Sequence, residues 1–432
     1  MTTLARAESR TPSKKAIDAK HVLIVESSSL IIQILEHFVG EHLSNYVVHF
    51  AKSFSEGCSL YEQHKDQIFA GLVNLNLPDA PDGEMVDHLL ARDVPLIVLT
   101  GNYNDKKREQ LLEQGVIDYV IKESRYSYEY ALKLIKRLEM NQKVKILVAE
   151  DSLAQKDYIE ALLKQHMYQV VTVDNGVEAL AAIKQNPDIS LLITDYDMPE
   201  MDGFSLTKAL RREYTKAELI IIGLSAVENN TLSARFIKNG ANDFLCKPFI
   251  QEELHCRITH NIEAQEHLNQ IKEWAFRDPL TNLFNRRYLF GKGVEFHRAA
   301  KNEDGQLSIA IVDIDYFKKI NDKYGHDAGD KVLIEVADIL IEQIAPHSVV
   351  RMGGEEFCIV MQGLDNSEAS ALVDSARQKI ESTPMGLQAP ISVRVSAGVA
   401  TVLGDTLDQQ INAADALLYR AKENGRNQVV HE

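Results

Sequence analysis

The residues with the clearest chemical potential lie in one short stretch, V-V-R-M-G-G-E-E-F-C-I-V-M, at positions 349–361. Two apolar, β-branched runs flank Gly353 and Gly354, a pattern that predicts a β-hairpin with a tight turn. Glu355 and Glu356 follow the turn directly. Glycines leave the backbone bare enough for a phosphate chain to approach, and carboxylates can hold a metal ion. The stretch therefore predicts a site for a phosphorylated ligand and a divalent cation.

A second group of acidic residues lies upstream of this hairpin. Residues 307–312 have the pattern of a buried strand, and Asp313-Ile314-Asp315 follows it. If the hairpin pairs beside that strand, Asp313 and Glu355 meet at one edge of the sheet. Mg²⁺ commonly takes one or two carboxylates together with substrate phosphates, and two such ions can activate a hydroxyl and stabilise leaving pyrophosphate. The alternative is that these acids are ordinary solvated turn residues.

Four segments together resemble the GGDEF domain of diguanylate cyclases, from residue 276 to about 430, and they occur in the order found in that family. They are R-D-P-L-T-N-L-F-N-R-R (277–287), I-V-D-I-D-Y-F-K-K-I-N-D-K-Y-G-H-D-A-G-D (311–330), R-M-G-G-E-E-F (351–357) and A-D-A-L-L-Y-R-A-K-E-N-G-R-N (414–427). In that family the third signature position is Asp or Glu. G-G-E-E-F therefore corresponds to an active form.

The resemblance implies a role for each matching position. Asp313, Glu355 and the backbone carbonyl of Ile314 would bind Mg²⁺ or Mn²⁺, and Glu356 would support the metal or a ribose hydroxyl. The other implied contacts with GTP are Gly353 and Gly354 at the triphosphate, Asn321 and Asp330 at the guanine edge, and Lys318, Lys422 and Arg426 at the phosphates. A carboxylate suits guanine because the N1–H and the exocyclic amine of guanine both donate hydrogen bonds. For Lys422 and Arg426, the alternative is charge that complements a helix C-terminus.

The resemblance also implies an assembly. One GGDEF domain binds one GTP, and cyclic di-GMP forms from two, so a homodimer is required in which each 3′-hydroxyl attacks the other α-phosphorus. Many relatives carry an inhibitory R-x-x-D motif shortly before the signature. Ile344 and His347 occupy those positions here. We therefore expect weak or absent product inhibition at this place.

The first two-thirds of the chain contains a repeat, because residues 21–140 and 145–262 follow one pattern. Short apolar strands alternate with amphipathic helices, which predicts a doubly wound parallel sheet covered on both faces. Ligands of such sheets bind beyond the carboxyl ends of the strands. The paired segments are H-V-L-I-V-E-S (21–27) with K-I-L-V-A-E-D (145–151), N-L-N-L-P (74–78) with D-Y-D-M-P (195–199), L-I-V-L-T (96–100) with I-I-I-G-L-S (220–225), and D-Y-V-I-K (118–122) with D-F-L-C-K (243–247).

Both repeats resemble response-regulator receiver domains, which are flavodoxin-like, and the second repeat fills every family position. Asp195 would accept the phosphoryl group, and Glu150, Asp151 and Asp197 would complete its Mg²⁺ site. A carboxylate can attack phosphorus only where a cation neutralises the crowded negative charge. The remaining positions are Ser225 and Lys247 at the phosphoryl group and Phe244 at the aromatic switch. The alternative is that these residues are helix caps and turns.

The first repeat departs from the family pattern. Asn74 stands where the nucleophile belongs, and an amide forms no acyl phosphate. Ser27 replaces the second metal-binding acid, which leaves Glu26 nearly alone, although Thr100 and Lys122 remain. We interpret this repeat as a receiver that has lost phosphotransfer and serves for packing and dimerisation. The alternative is a phosphate-independent sensor, for which the sequence names no ligand.

The predicted domain plan is sequential. A disordered start at 1–20 precedes a degenerate receiver at 21–140 and a phosphorylatable receiver at 145–262. A connecting helix at 250–276 leads to an α+β domain of the nucleotidyl-cyclase or palm type at 277–432. The apolar stripe of the connecting helix fits either packing on its own receiver or a coiled coil.

The composition and net charge of the chain limit the kinds of partner that it can bind. The chain has 432 residues, of which 45% are hydrophobic, and a net charge of −16, which argues against non-specific nucleic-acid binding. No apolar run approaches the roughly 18 residues that insert into a membrane, and the start has no secretion signal. We therefore expect a cytoplasmic protein. Cys246 and Cys358 lie in apolar runs and are predicted to be small core residues.

Together these patterns predict a two-component response regulator that makes cyclic di-GMP from GTP under control of Asp195 phosphorylation. The chain contains no kinase module, so a histidine kinase or phosphotransfer protein is an expected partner. The main alternative is a non-catalytic protein that binds GTP or a cyclic dinucleotide and signals by contact. A further alternative makes the receivers a phosphate sink, in which case phosphorylation leaves the cyclase rate unchanged.

Overall fold

The structure is a computed structural model that describes residues 19–226, 230–302, 305–385 and 390–432. All but two residues of the predicted disordered start therefore lie outside the described residues. Contacts within the chain divide it into two compact units, Met1–Gln265 and Glu266–Glu432.

The first unit begins with a five-stranded parallel sheet in the order β2-β1-β3-β4-β5. Successive side chains of β1 point to opposite faces, so Val22 and Ile24 join one apolar cluster while Leu23 and Val25 join another. The strands are β1 (His21–Val25), β2 (Val47–Ala51), β3 (Ile68–Asn74), β4 (Leu96–Thr100) and β5 (Asp118–Ile121). The helices are α1 (Ser29–His42), α2 (Phe54–His64), α3 (Glu84–Leu90), α4 (Asp105–Glu113) and α5 (Arg125–Asn141).

The second sheet repeats this topology with the order β10-β9-β8-β6-β7. Its strands are β6 (Lys145–Ala149), β7 (Gln169–Val173), β8 (Ile189–Asp195), β9 (Ile220–Ser225) and β10 (Asp243–Cys246). Its helices are α6 (Leu153–Gln165), α7 (Gly176–Gln185), α8 (Gly203–Leu210), α9 (Asn230–Lys238) and α10 (Gln251–Ala275). The predicted pair of flavodoxin-like sheets is thus confirmed.

The two parallel sheets belong to one compact unit because their helices touch. The Asn141 side-chain amide donates to the backbone carbonyl of His166, and the Gln165 amide donates to that of Val116, each at 2.9 Å. Arg108 of α4 forms an ion pair with Glu252 of α10. These contacts join α5 and α4 of the first repeat to elements of the second.

Helix α10 changes character along its 25 residues. Leu254, Ile258 and Ile262 are buried in the core of the second sheet. Farther along, Leu268, Ile271 and Trp274 are exposed, Trp274 to 76%. The packing alternative therefore describes the first half of the helix, and a coiled coil stays a prediction for the second half.

The second unit contains a six-stranded mixed sheet in the order β11-β13-β14-β12-β15-β16. Its strands are β11 (Phe284–Asn285), β12 (Leu307–Ile314), β13 (Ser348–Gly353), β14 (Glu356–Gln362), β15 (Val395–Ala400) and β16 (Val429–His431). Its helices are α11 (Arg286–Tyr288), α12 (Val294–Asn302), α13 (Phe317–Tyr324), α14 (His326–Ile344), α15 (Asn366–Ser382) and α16 (Leu407–Glu423), with a π-helical turn at Leu289–Gly293. This is the predicted α+β domain.

The two cysteines predicted to be buried behave differently. Cys358 lies in the central part of the sheet on β14, and its burial raises the pKa of its thiol to about 12. The prediction for Cys246 is wrong, because its side chain is exposed at the carboxyl end of β10. Strand β10 is at the edge of its sheet, and an apolar run does not reveal that position.

Helix α16 approaches the sheet closely at Gly398 of β15. A Cβ atom at this position would overlap the backbone of Ala414 and Leu418, and backbone atoms cannot rotate away as a side chain can. The missing side chain therefore sets the distance between α16 and β15.

We expect Gly398→Ala to destabilise the second unit by about 1–3 kcal/mol, the usual cost of overpacking a core. Hydrogen exchange of the β12 and β15 amides in the full chain resolves this unit from the other sheets and measures the loss. Gly291→Ala is the matched control, because no atom lies within 4 Å of its added Cβ. Equal protection of these amides in both variants would contradict the close approach.

Candidate functional sites

The hairpin and the central strand of the second unit bring the predicted acidic residues together. Strand β12 pairs antiparallel with β14, and Asp313 lies opposite Glu356 in the register. The backbone N–H of Ile314 donates to the carbonyl of Glu355 at 3.3 Å. Asp313 is buried, Glu355 is partly buried and Glu356 is exposed. The three acids thus form a cluster in which exposure to solvent increases from Asp313 on β12 to Glu356 on the hairpin.

A lysine from α16 compensates the buried member of this cluster. The Lys422 Nζ lies 2.9 Å from Asp313 Oδ1. Burial raises the pKa of Asp313, the Lys422 ammonium opposes that rise, and the charges of Glu355 and Glu356 add to it. Three carboxylates with one ammonium leave excess negative charge. An all-oxygen donor set of this kind fits a hard divalent cation.

The turn of the hairpin is open to a phosphate chain. Gly353 and Gly354 have positive φ angles of 144° and 54°, and no atom lies within 4 Å of a Cβ built at either. Arg351 fixes the turn, because its guanidinium donates to the Gly354 carbonyl at 2.9 Å and forms an ion pair with Asp278 at 2.8 Å. The role of the two glycines in an open turn was predicted from the sequence, but no role was predicted for Arg351 or Asp278.

The predicted guanine contacts lie on consecutive helices. Asn321 is on α13, and its Oδ1 atom is buried without a hydrogen-bond partner among the described residues. Gly329 of α14 makes room for this oxygen, since a Cβ at 329 would overlap it. Asp330 follows on α14 and is exposed. A buried, unpartnered acceptor is costly. The contact of Asn321 with guanine stays a prediction.

The predicted phosphate-binding cations are not all in one place. Lys422 lies on the acidic cluster, while Lys318 is exposed on α13. Arg426 lies over the Tyr316 ring at 4.6 Å, and its Nε is 3.9 Å from Asp315 Oδ1. In the described structure Arg426 therefore faces Asp315 and Tyr316. Its role at phosphate stays a prediction.

In the second repeat, the predicted acidic residues meet at the carboxyl ends of β6 and β8. Ligand oxygens of Glu150, Asp151 and Asp195 lie within 4.8 Å of one another. The Lys247 Nζ is 2.6 Å from both Glu150 Oε2 and Asp195 Oδ1. Burial raises the pKa of Glu150, and the Lys247 contact opposes the rise. Three carboxylates again exceed one ammonium, so this site also fits a divalent cation.

The remaining residues predicted for this repeat lie around the cluster. Asp197 is exposed and donates its backbone N–H to Asp195 Oδ2 at 3.0 Å, while its own carboxylate is outside the cluster of three. Ser225 is buried at the end of β9, and its carbonyl accepts from the Lys247 N–H. Phe244 is buried against Phe236, with ring centroids 5.4 Å apart.

The first repeat has the same architecture with a different charge balance. The Lys122 Nζ lies 2.5 Å from Glu26 Oε2, and the Asn74 amide donates to Glu26 Oε1 at 3.3 Å. The Ser28 N–H also donates to Glu26. Thr100 is buried, and its hydroxyl donates to the Asn102 carbonyl. One carboxylate, one ammonium and one amide satisfy each other, and little negative charge remains for a cation.

Comparison with known proteins matches both kinds of domain. The receiver-domain family model matches residues 146–259, and the model for the diguanylate cyclase GGDEF domain matches residues 275–428. The response regulator PleD of Caulobacter vibrioides is 26% identical over 385 residues, which cover 80% of this chain and 85% of PleD. The diguanylate cyclase DgcP of Pseudomonas aeruginosa is 36% identical over 167 residues, covering 38% of this chain and 25% of DgcP.

A solved structure supports the same assignment. The crystal structure of a two-component system response regulator/GGDEF domain protein is 42% identical, with a TM-score of 0.53. It covers 57% of this chain and 99% of its own. The chain therefore belongs to the response regulators that carry a GGDEF diguanylate cyclase domain. Nucleotidyl cyclases of this class generally use a divalent metal, and a receiver domain implies an upstream phosphodonor. Among the described residues, no helix is long and apolar enough to cross a membrane.

The charge balance of the two repeats predicts that only one of them takes a phosphate mimic. With beryllofluoride and Mg²⁺, we expect ¹⁹F NMR of the full chain to give a bound signal for one site per chain. Asp195→Asn should abolish that signal because the accepting carboxylate is lost. Asn74→Ala is the matched control and should leave it intact, whereas two bound equivalents in the unaltered chain would contradict the assignment.

Proposed function

We propose that the protein is a two-component response regulator that condenses two GTP into cyclic di-GMP and pyrophosphate. Phosphorylation of Asp195 controls the reaction, and a histidine kinase or phosphotransfer protein supplies the phosphoryl group. The metal at both sites is Mg²⁺ or Mn²⁺. GTP is a cytoplasmic nucleotide, so the proposal places the protein in the cytoplasm.

The observation that carries the catalytic part is the convergence of Asp313, Glu355 and Glu356 beside the open turn at Gly353 and Gly354. A GTP triphosphate laid along this turn brings its α-phosphorus beside the acids. The divalent cation, when bound, neutralises the phosphates and lowers the pKa of an attacking hydroxyl. Asp313 and Glu355, with the Ile314 carbonyl, are the proposed ligands, and Glu356 supports the metal or a ribose hydroxyl.

The residues around the acids orient the nucleotide. Asn321 presents a buried acceptor, and Asp330 offers a carboxylate on the adjacent helix, which together suit the N1–H and exocyclic amine of guanine. Adenine lacks that pair of donors, so the set selects GTP. Lys422 counters the charge of the phosphates in addition to the charge of Asp313. Lys318 and Arg426 are the further proposed phosphate contacts.

The stoichiometry requires two copies of the chain. Each domain holds one GTP, and the 3′-hydroxyl of each nucleotide attacks the α-phosphorus of the other. Each attack forms one P–O bond, releases the hydroxyl proton and expels one pyrophosphate. We therefore propose a homodimer, in which two acidic clusters face each other across the paired substrates.

Control by Asp195 is supported by the charges around it. Asp195 and Glu150 share the Lys247 ammonium at 2.6 Å, which holds the accepting carboxylate in place. Adding a phosphoryl group there changes the charge that Lys247 contacts, and Ser225 is the further proposed phosphoryl contact. Phe244 lies on the strand next to Ser225 as the proposed switch. The first receiver, with Asn74 in place of the acceptor, is proposed to be non-phosphorylatable and structural.

We expect Glu355→Gln to lower the rate of cyclic di-GMP formation by about 100-fold or more, because it removes a metal-binding carboxylate. The measurement is product formed from GTP and Mg²⁺ by purified protein. The control is Glu342→Gln, an exposed carboxylate on α14 that should leave the rate unchanged. An unaltered chain that binds GTP but makes no product would instead favour a non-catalytic binding protein.

The phosphorylation of Asp195 should change the rate of the same reaction. We expect beryllofluoride to raise the rate several-fold, because a filled acceptor site favours receiver pairing that brings two GTP-binding domains together. Asp195→Asn should keep the basal rate and GTP binding but lose the response. A response that persists in this variant would show that another residue accepts the phosphate, and an unchanged rate with the mimic would place control elsewhere.

Product inhibition should be weak at the position of the R-x-x-D motif. Ile344 is fully buried at the end of α14, so it cannot contact a ligand. His347 offers at most one acceptor nitrogen, whereas an Asp carboxylate accepts from both guanine donors. We expect the initial rate to fall little when micromolar cyclic di-GMP is added. Tight inhibition that Ile344→Ala or His347→Ala relieves would contradict this prediction.

A further inference from the structure

Three histidines of the first receiver converge at a place that the proposed chemistry does not use. His21 begins β1, His49 lies in β2, and His64 ends α2. Their ligand nitrogens lie within 4.8 Å of one another. The sequence spreads them over 44 positions with no recognisable spacing, so only the fold brings them together.

The topology explains the convergence. Strands β1 and β2 are parallel with Leu23 opposite His49, so His21 and His49 point to the same face of the sheet. Helix α2 packs on that face through Tyr61, and its last turn carries His64 to the amino-terminal end of β1. The N–H of His21 donates to the Gln67 carbonyl, which ties this end of β1 to the segment after α2.

The geometry of the three imidazoles suits a shared cation. His49 Nε2 and His21 Nδ1 are hydrogen-bonded at 2.9 Å, and the rings of His49 and His64 are stacked with centroids 4.2 Å apart. Nitrogens bound to one tetrahedral Zn²⁺ at about 2.1 Å are separated by about 3.4 Å, so the ion would replace this hydrogen bond and one of the stacked rings would turn to face it. His21 is buried, while His49 and His64 are partly exposed, which leaves a path from solvent.

The second receiver provides an internal comparison. In the same fold, Lys145 begins β6 where His21 begins β1, and Val171 occupies the β7 position that matches His49. Gln185 ends α7 where His64 ends α2. The fold itself therefore does not require imidazoles at these places.

We infer that His21, His49 and His64 form a binding site for a late first-row divalent transition-metal ion, with Zn²⁺ the best match. Nitrogen donors without thiolates suit Zn²⁺ and its neighbours better than Mg²⁺. No fourth His, Cys, Asp or Glu of the described residues belongs to this cluster, so the fourth position is left to water or an exogenous ligand. The ion would fasten β1, β2 and α2 of a receiver that has lost phosphotransfer.

The test is Zn²⁺ binding to the full chain in saturating Mg²⁺, which occupies the carboxylate sites. Competition with a chromophoric chelator should give one Zn²⁺ per chain, and Co²⁺ in its place should show the visible d–d bands of a tetrahedral nitrogen site. His49→Gln and His64→Gln should each weaken Zn²⁺ binding about 100-fold. Loss of a residue that only supports a metal ligand already costs up to about 100-fold, and these variants remove a ligand itself. Zn²⁺ should also raise the melting temperature of the unaltered chain but not of these variants.

His37→Gln is the matched control. This histidine lies on α1 of the same receiver with its side chain 56% exposed, and its replacement should leave Zn²⁺ affinity unchanged. If His49→Gln misfolds by circular dichroism, the partly exposed His64 at a helix end decides the question. Absence of stoichiometric Zn²⁺ in the unaltered chain, or equal affinity in His49→Gln, His64→Gln and His37→Gln, would overturn the inference.

Discussion

Each of the three sheets ends in a buried carboxylate that a single lysine ammonium neutralises. The pairs are Lys122 with Glu26, Lys247 with Glu150 and Asp195, and Lys422 with Asp313. Removing one partner of a buried ion pair typically costs about 3–5 kcal/mol, because the other charge is left uncompensated. The carboxyl ends of the strands can therefore gather acids for chemistry only where a lysine arrives from another element. In the two parallel sheets the lysine follows the fifth strand, and in the cyclase domain it comes from the last long helix.

What distinguishes the three sites is the charge that remains after the lysine is counted. Glu26 with its lysine and the Asn74 amide makes a closed, neutral arrangement. The second receiver retains Asp151 and one further acid, and the cyclase domain retains Glu355 and Glu356, so both keep an attraction for a divalent cation. Two substitutions, Ser27 for an acid that corresponds to Asp151 and Asn74 for one that corresponds to Asp195, thus account for the difference in charge between the two repeats. The backbone around the site need not change.

The sequence predicted the sheets, and the place of the acids at the strand ends, because both depend on local rules. Apolar runs mark the strands, and polar residues after them must lie at the carboxyl edge. Contacts between distant segments have no such signal. The Arg351–Asp278 pair that holds the hairpin, the exposure of Cys246 on an edge strand and the meeting of three histidines all depend on which elements become neighbours. The apolar pattern of α10 likewise did not predict that its apolar side chains are buried in the first half of the helix and exposed in the second half.

The contact between Asn321 and Gly329 has a consequence for how such a protein can change over generations. The amide oxygen occupies space that any side chain at 329 would fill, and the two residues lie on α13 and α14, whereas the acids lie on β12 and the hairpin. Under the proposed function, base preference and phosphate chemistry therefore rest on separate pairs of elements. Under this proposal, evolution could change the nucleotide that is bound by replacing Asn321 and Gly329 together, without changing the acidic residues that act on the phosphates.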